Sequence, residues 1–154
     1  MLDDSRKNYD AAAESYRKAL GKDQNAVIAA NNLAWLYAVN GKGNLDEAVR
    51  LAQGVVQKNP NIPGFIDTLG WVYYKKGLYS AAIEQLKKAV ALDERSAKSV
   101  NANPSANYQY HLGMALKAKG DNDAARRALE QAVRLSEKTP FAEAAEARNV
   151  LATL

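Results

Sequence analysis

The 154-residue chain has no cysteine and only one histidine. The absence of cysteine excludes disulfide bonds and thiol chemistry and is compatible with any compartment. These two shortages leave no His and Cys spacing suited to a metal ion, and the sequence has no glycine-rich phosphate loop. As a catalytic base, His111 would need an orienting partner and a nucleophile, so we expect it to be a surface or groove residue. The sequence therefore predicts a protein that is not an enzyme, with no catalytic residue, metal site or cofactor.

The chain also lacks a long apolar run and a strong charge of either sign. No apolar segment approaches the roughly 20 residues that a membrane-spanning helix requires, and the N-terminal residues lack the apolar segment of a signal peptide. The formal net charge of +4 is a mild basic bias, and the lysines and arginines are spread along the chain. Because a nucleic-acid patch would need them to cluster, we expect no nucleic-acid partner and no membrane span.

Two short amphipathic segments separated by a glycine occupy residues 63–94, and the rest of the chain repeats this arrangement. Apolar residues recur at helical spacing on each side of Gly77, which predicts two helices. Gly77 can end the first helix because glycine adopts the left-handed conformation without steric cost. Neither helix alone can bury its apolar side, so each pair must pack on further pairs. The pattern predicts an all-α protein.

The repeated pattern resembles the tetratricopeptide repeat, a helix–turn–helix unit of about 34 residues. The unit that begins at residue 63 matches the family's signature places with Ile66, Leu69, Gly70, Tyr73, Ala82, Leu86 and Ala89. The unit from residue 27 has two extra residues in its turn at 41–44 and matches with Leu33, Ala34, Tyr37, Ala48 and Ala52. The unit from residue 106 matches with Leu112, Gly113, Leu116, Ala125, Leu129 and Ala132. Near the N-terminus only a second helix matches, with Ala12, Tyr16 and Ala19.

The resemblance implies a single domain, residues 1–154, folded as a right-handed superhelical solenoid with a C-terminal capping helix. We expect a half repeat at 9–26, repeats at 27–62, 63–96 and 106–139, an insertion at 97–105, and the capping helix at 140–154. The individual helices are predicted at 9–22, 28–40, 45–58, 64–76, 79–93, 106–119, 122–137 and 141–153.

The insertion and the two ends depart from the repeat pattern. The insertion at 97–105 is interpreted as a tolerated surface loop, and the alternative is a loop that contacts a ligand or widens the groove. Thr139 and Pro140 are predicted to be the N-cap and first residue of the capping helix, with Glu143 and Glu146 pointing away from the domain. The half repeat leaves its apolar side open, which suggests a fragment of a longer array or an edge that meets another molecule.

In this family the first helix of each repeat lines a concave groove. Carried onto this sequence, the resemblance implies ten partner-binding groove residues: Asn31, Trp35, Asp67, Trp71, Tyr74, Lys75, Asn107, Tyr110, Met114 and Lys117. Trp35, Trp71 and Met114 hold the same place in successive repeats, and large groups of this kind act as binding anchors when they are exposed in a groove. The alternative is that the two tryptophans pack as structural core.

The resemblance implies a non-catalytic protein–protein interaction scaffold that binds a peptide or helix of a partner in the concave groove. The Lys, Arg and Asn set with which some tetratricopeptide co-chaperones hold a partner's C-terminal carboxylate is not evident. The repeats are similar to the C-terminal arrays of long bacterial tetratricopeptide proteins, including those of exopolysaccharide export and envelope assembly. That similarity favours a periplasmic or envelope setting over the cytoplasm. Two alternatives remain: self-association through the N-terminal edge, and a helical solenoid that binds nucleic acid.

Overall fold

The computed structural model describes residues 2–40 and 44–154, with side chains described from residue 8 onward. Within these ranges the protein contains eight α-helices and no β-strand. In chain order they are α1 (Leu2–Lys22), α2 (Val27–Val39), α3 (Leu45–Lys58), α4 (Pro63–Lys75), α5 (Tyr79–Ser99), α6 (Ala106–Lys119), α7 (Asn122–Ser136) and α8 (Ala144–Leu151). No helix in the described part of the chain is long and apolar enough to span a membrane.

The helices form an all-α solenoid of stacked helix pairs. The most extensive contacts join α2 with α3, α4 with α5, and α6 with α7, so each amphipathic helix buries its apolar side against its partner. Neighbouring pairs then stack through the contacts of α3 with α4 and of α5 with α6. The first helices also touch one another, since α4 contacts both α2 and α6. These three helices form one layer of the solenoid, and α1 and α8 cover its two ends.

Glycine ends the first helix of two of the pairs in the same way. Gly77 has a φ of 81° and Gly120 a φ of 95°, both in the left-handed region. After α4, the N–H of Leu78 donates to the carbonyl of Tyr73 and the N–H of Gly77 donates to that of Tyr74. The same two bonds recur after α6, and together they satisfy carbonyls that have no partner within the helix. The predicted turn of the α2–α3 pair is at 41–44, and its residues 41–43 lie outside the described residues, whereas Asn44 is the N-cap of α3.

Small residues mark the closest approach within each pair. The α-carbon of Gly70 faces Leu86, and a β-carbon added there would lie 2.6 Å from the Leu86 Cγ. Gly113 stands in the same relation to Leu129, also at 2.6 Å. In α2 and α3 the corresponding places hold two fully buried alanines, Ala34 and Ala52. The bulky residue of α5 and α7 is therefore paired with a glycine, while the α2–α3 pair uses a small residue on each side.

The insertion is partly helical. α5 continues to Ser99, beyond the predicted end at residue 93, so the first residues of the insertion prolong this helix. A short loop follows, in which Asn101 has a φ of 53° and Val100 is exposed. Ser105 is the N-cap residue of α6, although its side chain makes no capping hydrogen bond. Its N–H instead donates to the Asp93 carboxylate at 2.6 Å, which ties the end of the loop back to α5.

The capping helix differs from the prediction. α8 begins at Ala144, so Thr139 and Pro140 are not its N-cap and first residue. The ring of Phe141 packs against Tyr110 at a centroid distance of 6.0 Å, and this contact occupies a residue that would otherwise belong to the first turn. The later start of α8 changes the direction of its first side chains, including Glu143, which lies at the N-cap position. At the other end of the chain, α1 begins at Leu2 and is longer than predicted.

Candidate partner-binding groove

The layer formed by α2, α4 and α6 carries a pocket of about 210 Å³ beside the N-terminal end of α8. Ten residues from these elements and from the segment before α8 line the pocket: Trp35, Val39, Trp71, Tyr74, Lys75, Tyr110, His111, Met114, Glu143 and Glu146. Six of them are among the ten groove residues predicted from the sequence. Since α2, α4 and α6 are the first helices of their pairs, the surface they share is the groove in which a partner is expected.

An aromatic cluster forms the floor of this pocket. Trp71 stacks on Tyr74 at a centroid distance of 4.5 Å and on His111 at 4.2 Å, and Tyr110 lies 6.3 Å away. Trp71 is only 7% exposed, so most of its ring is core, which was the alternative for this residue. Trp35 is half-buried and lies 5.5 Å from the His111 ring. Trp35 therefore presents more aromatic surface to the groove than Trp71 does.

His111 and Asp67 form a buried pair beneath the Trp71 ring. His111 is 4% exposed and Asp67 is 5% exposed, in contrast to the surface or groove positions expected from the sequence. The Nδ1 atom of His111 lies 2.9 Å from both carboxylate oxygens of Asp67. Burial raises the pKa of Asp67, while the charge and hydrogen bond of His111 oppose the rise. The pair holds the imidazole in place under the aromatic cluster and leaves Asp67 inaccessible to a partner.

The orientation of His111 by Asp67 meets one requirement for a catalytic base. The residues that line the pocket include no serine, threonine or cysteine. Among residues 2–40 and 44–154, no group of three or more His, Asp or Glu side chains is arranged to hold a metal ion.

The charged groups of the pocket are one lysine and two glutamates. The Lys75 Nζ atom lies 5.2 Å from the centroid of Trp71 and 5.9 Å from that of Tyr74, a cation–π arrangement. Glu143 and Glu146 also line the pocket, although the sequence predicted that both point away from the domain. Burial raises the pKa of Tyr110, and the nearby carboxylate of Glu146 contributes to the rise. The sequence analysis found no signal for this placement of the two glutamates.

The remaining predicted groove residues lie outside this pocket. Asn107 is exposed, while Lys117 and Asn31 are half-buried. The side-chain oxygen of Asn31 is shielded from solvent and has no hydrogen-bond partner among the described residues. Their part in partner binding stays a prediction.

An apolar stripe runs along α2 into the pocket. Trp35 and Val39 line the pocket, and Ile28 lies two turns before Trp35 on the same face of the helix. Ile28 is 63% exposed and Val39 is 45% exposed. This half-covered stripe, which we call the α2 stripe, is defined by Ile28, Trp35 and Val39.

Two other clefts of about 150 and 500 Å³ lie where α1 meets α2 and α3. The larger cleft exceeds the groove pocket in volume, but neither cleft is lined by an aromatic residue. Because large aromatic side chains are typical anchors of binding sites, the groove pocket is the better candidate. The clefts mark the N-terminal edge, at which the sequence suggested self-association.

Comparison with known proteins agrees with the helix pairs. Profiles described as tetratricopeptide repeat match residues 4–63, 66–96 and 106–139. A search of curated proteins finds no significant match. Among solved structures, a thermophilic tetratricopeptide repeat protein of Thermus thermophilus is similar with a TM-score of 0.73 and 24% identity, over 97% of this chain and 74% of that one. MamA of Desulfovibrio magneticus RS-1, from residue 41 to its end, is similar with a TM-score of 0.70 and 20% identity, over 89% of this chain and 71% of that one. The chain belongs to the tetratricopeptide repeat family.

Proposed function

We propose that this protein is a non-catalytic scaffold that binds a peptide or helix of a partner protein in the groove formed by α2, α4, α6 and α8. The tetratricopeptide repeat fold supports a role in protein–protein interaction in general. The observation that carries the finer proposal is the α2 stripe, because its apolar side chains stand partly exposed beside the aromatic floor of one pocket. Covering the stripe would remove apolar surface from water, which is the main driving force of association.

The rim of the pocket disfavours the nucleic-acid alternative. Glu143 and Glu146 would repel a phosphate backbone, and Lys75 is the only lysine or arginine among the lining residues. Self-association through the N-terminal edge would use a different surface from the groove, and it predicts a different experimental result. A dimer formed there would depend on protein concentration and would be insensitive to changes in the α2 stripe.

Two exposed valines provide a matched test of the groove. Val39 belongs to the α2 stripe, whereas Val100 is 70% exposed in the insertion, away from the pocket. We would immobilise the wild-type protein and the variants Val39→Ser and Val100→Ser and capture partners from bacterial lysate. We expect one set of proteins to be retained by wild type and Val100→Ser and lost by Val39→Ser. Trp71→Ala is unsuitable for this purpose because removal of a core ring would also disturb the fold.

The other outcomes are equally informative. If the captured proteins were lost with Val100→Ser alone, the binding site would lie in the insertion, which is the alternative that the sequence left open. Retention by all three proteins would contradict the groove proposal. Analytical ultracentrifugation over a range of protein concentrations then tests self-association. A constant monomeric mass would exclude a dimer formed through the N-terminal edge.

A further inference from the structure

We infer that the groove accepts a partner segment that carries a lysine or arginine, with the cationic group held between the aromatic floor and the carboxylates of Glu143 and Glu146. The inference rests on the proposed function, because it names the chemistry of the segment that the groove binds. Three features of the pocket support it: two carboxylates that form no ion pair within the described residues, the faces of an aromatic cluster, and the apolar residues Trp35 and Val39 of the α2 stripe.

The carboxylates of Glu143 and Glu146 are not neutralised inside the protein. Glu143 occupies the N-cap position of α8, yet its side chain accepts no capping hydrogen bond. The carboxylate of Glu146 lies near the Tyr110 hydroxyl and contributes to the raised pKa of that group. Within the described residues, neither glutamate forms an ion pair, although other pairs such as Lys18 with Glu14 are present. Glu143 is half-buried and Glu146 is exposed. Two carboxylates at one aromatic pocket attract a cation, and the partial burial of Glu143 strengthens the attraction at that residue.

The aromatic floor already accommodates a cation. Lys75 lays its ammonium group over the rings of Trp71 and Tyr74, at 5.2 and 5.9 Å from their centroids. The face of an aromatic ring carries partial negative charge, so it attracts a cation and does not attract an anion. Lys75 is exposed and has a flexible stem, so it can move aside for an incoming group. The lining residues then present two carboxylates against one mobile ammonium, which favours a cationic ligand over an acidic one.

One segment can reach both the carboxylates and the α2 stripe, because Trp35 and Val39 line the same pocket as Glu143 and Glu146. The partner segment is therefore expected to combine an apolar side chain, which covers Trp35 and Val39, with a lysine or arginine near α8. The apolar part supplies most of the affinity, and the charged part supplies specificity and salt dependence.

The test uses a display library of short random peptides selected on the wild-type protein. The comparison variant is Glu143→Gln/Glu146→Gln, and the matched control is Glu84→Gln/Glu130→Gln, which alters two exposed glutamates on α5 and α7 away from the pocket. We expect selected peptides to combine an apolar residue with lysine or arginine. Their affinity is expected to fall on the order of tenfold for the pocket variant, and to remain unchanged for the control. Raising the salt from about 50 to about 300 mM should weaken wild-type binding and affect the pocket variant less.

A third variant tests whether the pocket prefers a cationic or an anionic ligand. Lys75→Gln removes the competing ammonium, so the same peptide is expected to bind more tightly. Weaker binding to Lys75→Gln, or selection of acidic peptides, would overturn the inference. Peptides that lose affinity with Val39→Ser but bind wild type and the Glu143→Gln/Glu146→Gln variant equally would also overturn it, while the proposed groove would stand. Failure to select any peptide sensitive to Val39→Ser would count against both.

Discussion

The close approach of α4 to α5 predicts that Gly70→Ala destabilises the protein. The added methyl group would lie 2.6 Å from the Leu86 Cγ, 2.8 Å from its Cδ2 and 3.4 Å from the carbonyl oxygen of Ala82. Leu86 has no exposed surface, so it cannot swing into solvent to make room. The helices would have to separate, or the leucine would have to leave its preferred rotamer.

The expected magnitude follows from two opposing effects. Overpacking of this kind costs about 1–3 kcal/mol, whereas replacing a helical glycine by alanine contributes roughly 0.8–1 kcal/mol of stability through backbone entropy. Gly54 in α3 is the matched control, because a β-carbon there would meet nothing within 4 Å. Gly54→Ala should therefore show only the increase in stability that comes from backbone entropy. The two variants should differ in their free energies of unfolding by about 1–3 kcal/mol, with Gly70→Ala the less stable.

The assay is urea denaturation followed by circular dichroism, supported by thermal melts. For a chain of this size, 1 kcal/mol corresponds to a shift of about 2–4 °C in the melting temperature. If Gly70→Ala proved as stabilising as Gly54→Ala, the packing argument would be refuted.

A double-mutant cycle sharpens the same test. Leu86→Ala alone should cost about 2–5 kcal/mol as a core truncation. In the Gly70→Ala background the cost should be lower by about 0.5–3 kcal/mol, because the new methyl group occupies part of the vacated space. The double variant also reproduces the pair of alanines that α2 and α3 already use, Ala34 and Ala52. Strict additivity would mean that residues 70 and 86 do not share this contact.

Three further predictions follow from the described contacts. Gly113→Ala should destabilise the protein in the same way through its contact with Leu129, and a stability equal to wild type in urea denaturation would contradict this. Trp71→Ala should lower the free energy of unfolding by about 3–5 kcal/mol, and by more than Trp35→Ala, since Trp71 is the more buried ring; equal losses would argue against this difference. Burial and two nearby aspartates raise the pKa of Tyr108 from 10.0 to about 12. Because the unfolded chain then loses its proton first, wild type should lose stability relative to Tyr108→Phe as the pH rises from about 10 to about 12, and parallel pH profiles would contradict the shift.

Much of the fold could be predicted from local sequence patterns. α2, α3, α4, α6 and α7 begin and end within one residue of their predicted positions, because helical periodicity and glycine turns depend only on neighbouring residues. α8 was misplaced because the segment ahead of it is held by a distant contact, between Phe141 and Tyr110, which no local signal reveals.

The candidate site could be predicted from the sequence only in part. The resemblance to the tetratricopeptide repeat assigned Trp35, Trp71, Tyr74, Lys75 and Tyr110 to groove positions, and all five line one pocket. It could not decide how deeply each is buried, because burial depends on what the neighbouring helix places opposite. The carboxylates of Glu143 and Glu146 were missed altogether.

By itself, the sequence determined that the chain is all-helical, that its helices pair around small residues, and that the first helices share a surface. The first two properties follow from spacing along one or two helices, and the shared surface is what the resemblance to the tetratricopeptide repeat implies. Only the tertiary structure decided that Trp71 is mostly core, that His111 and Asp67 pair beneath it, and that Glu143 and Glu146 face the groove. The periodicity of a helix defines which side chains share a face, but the group that meets this face belongs to a distant part of the chain and is set by packing.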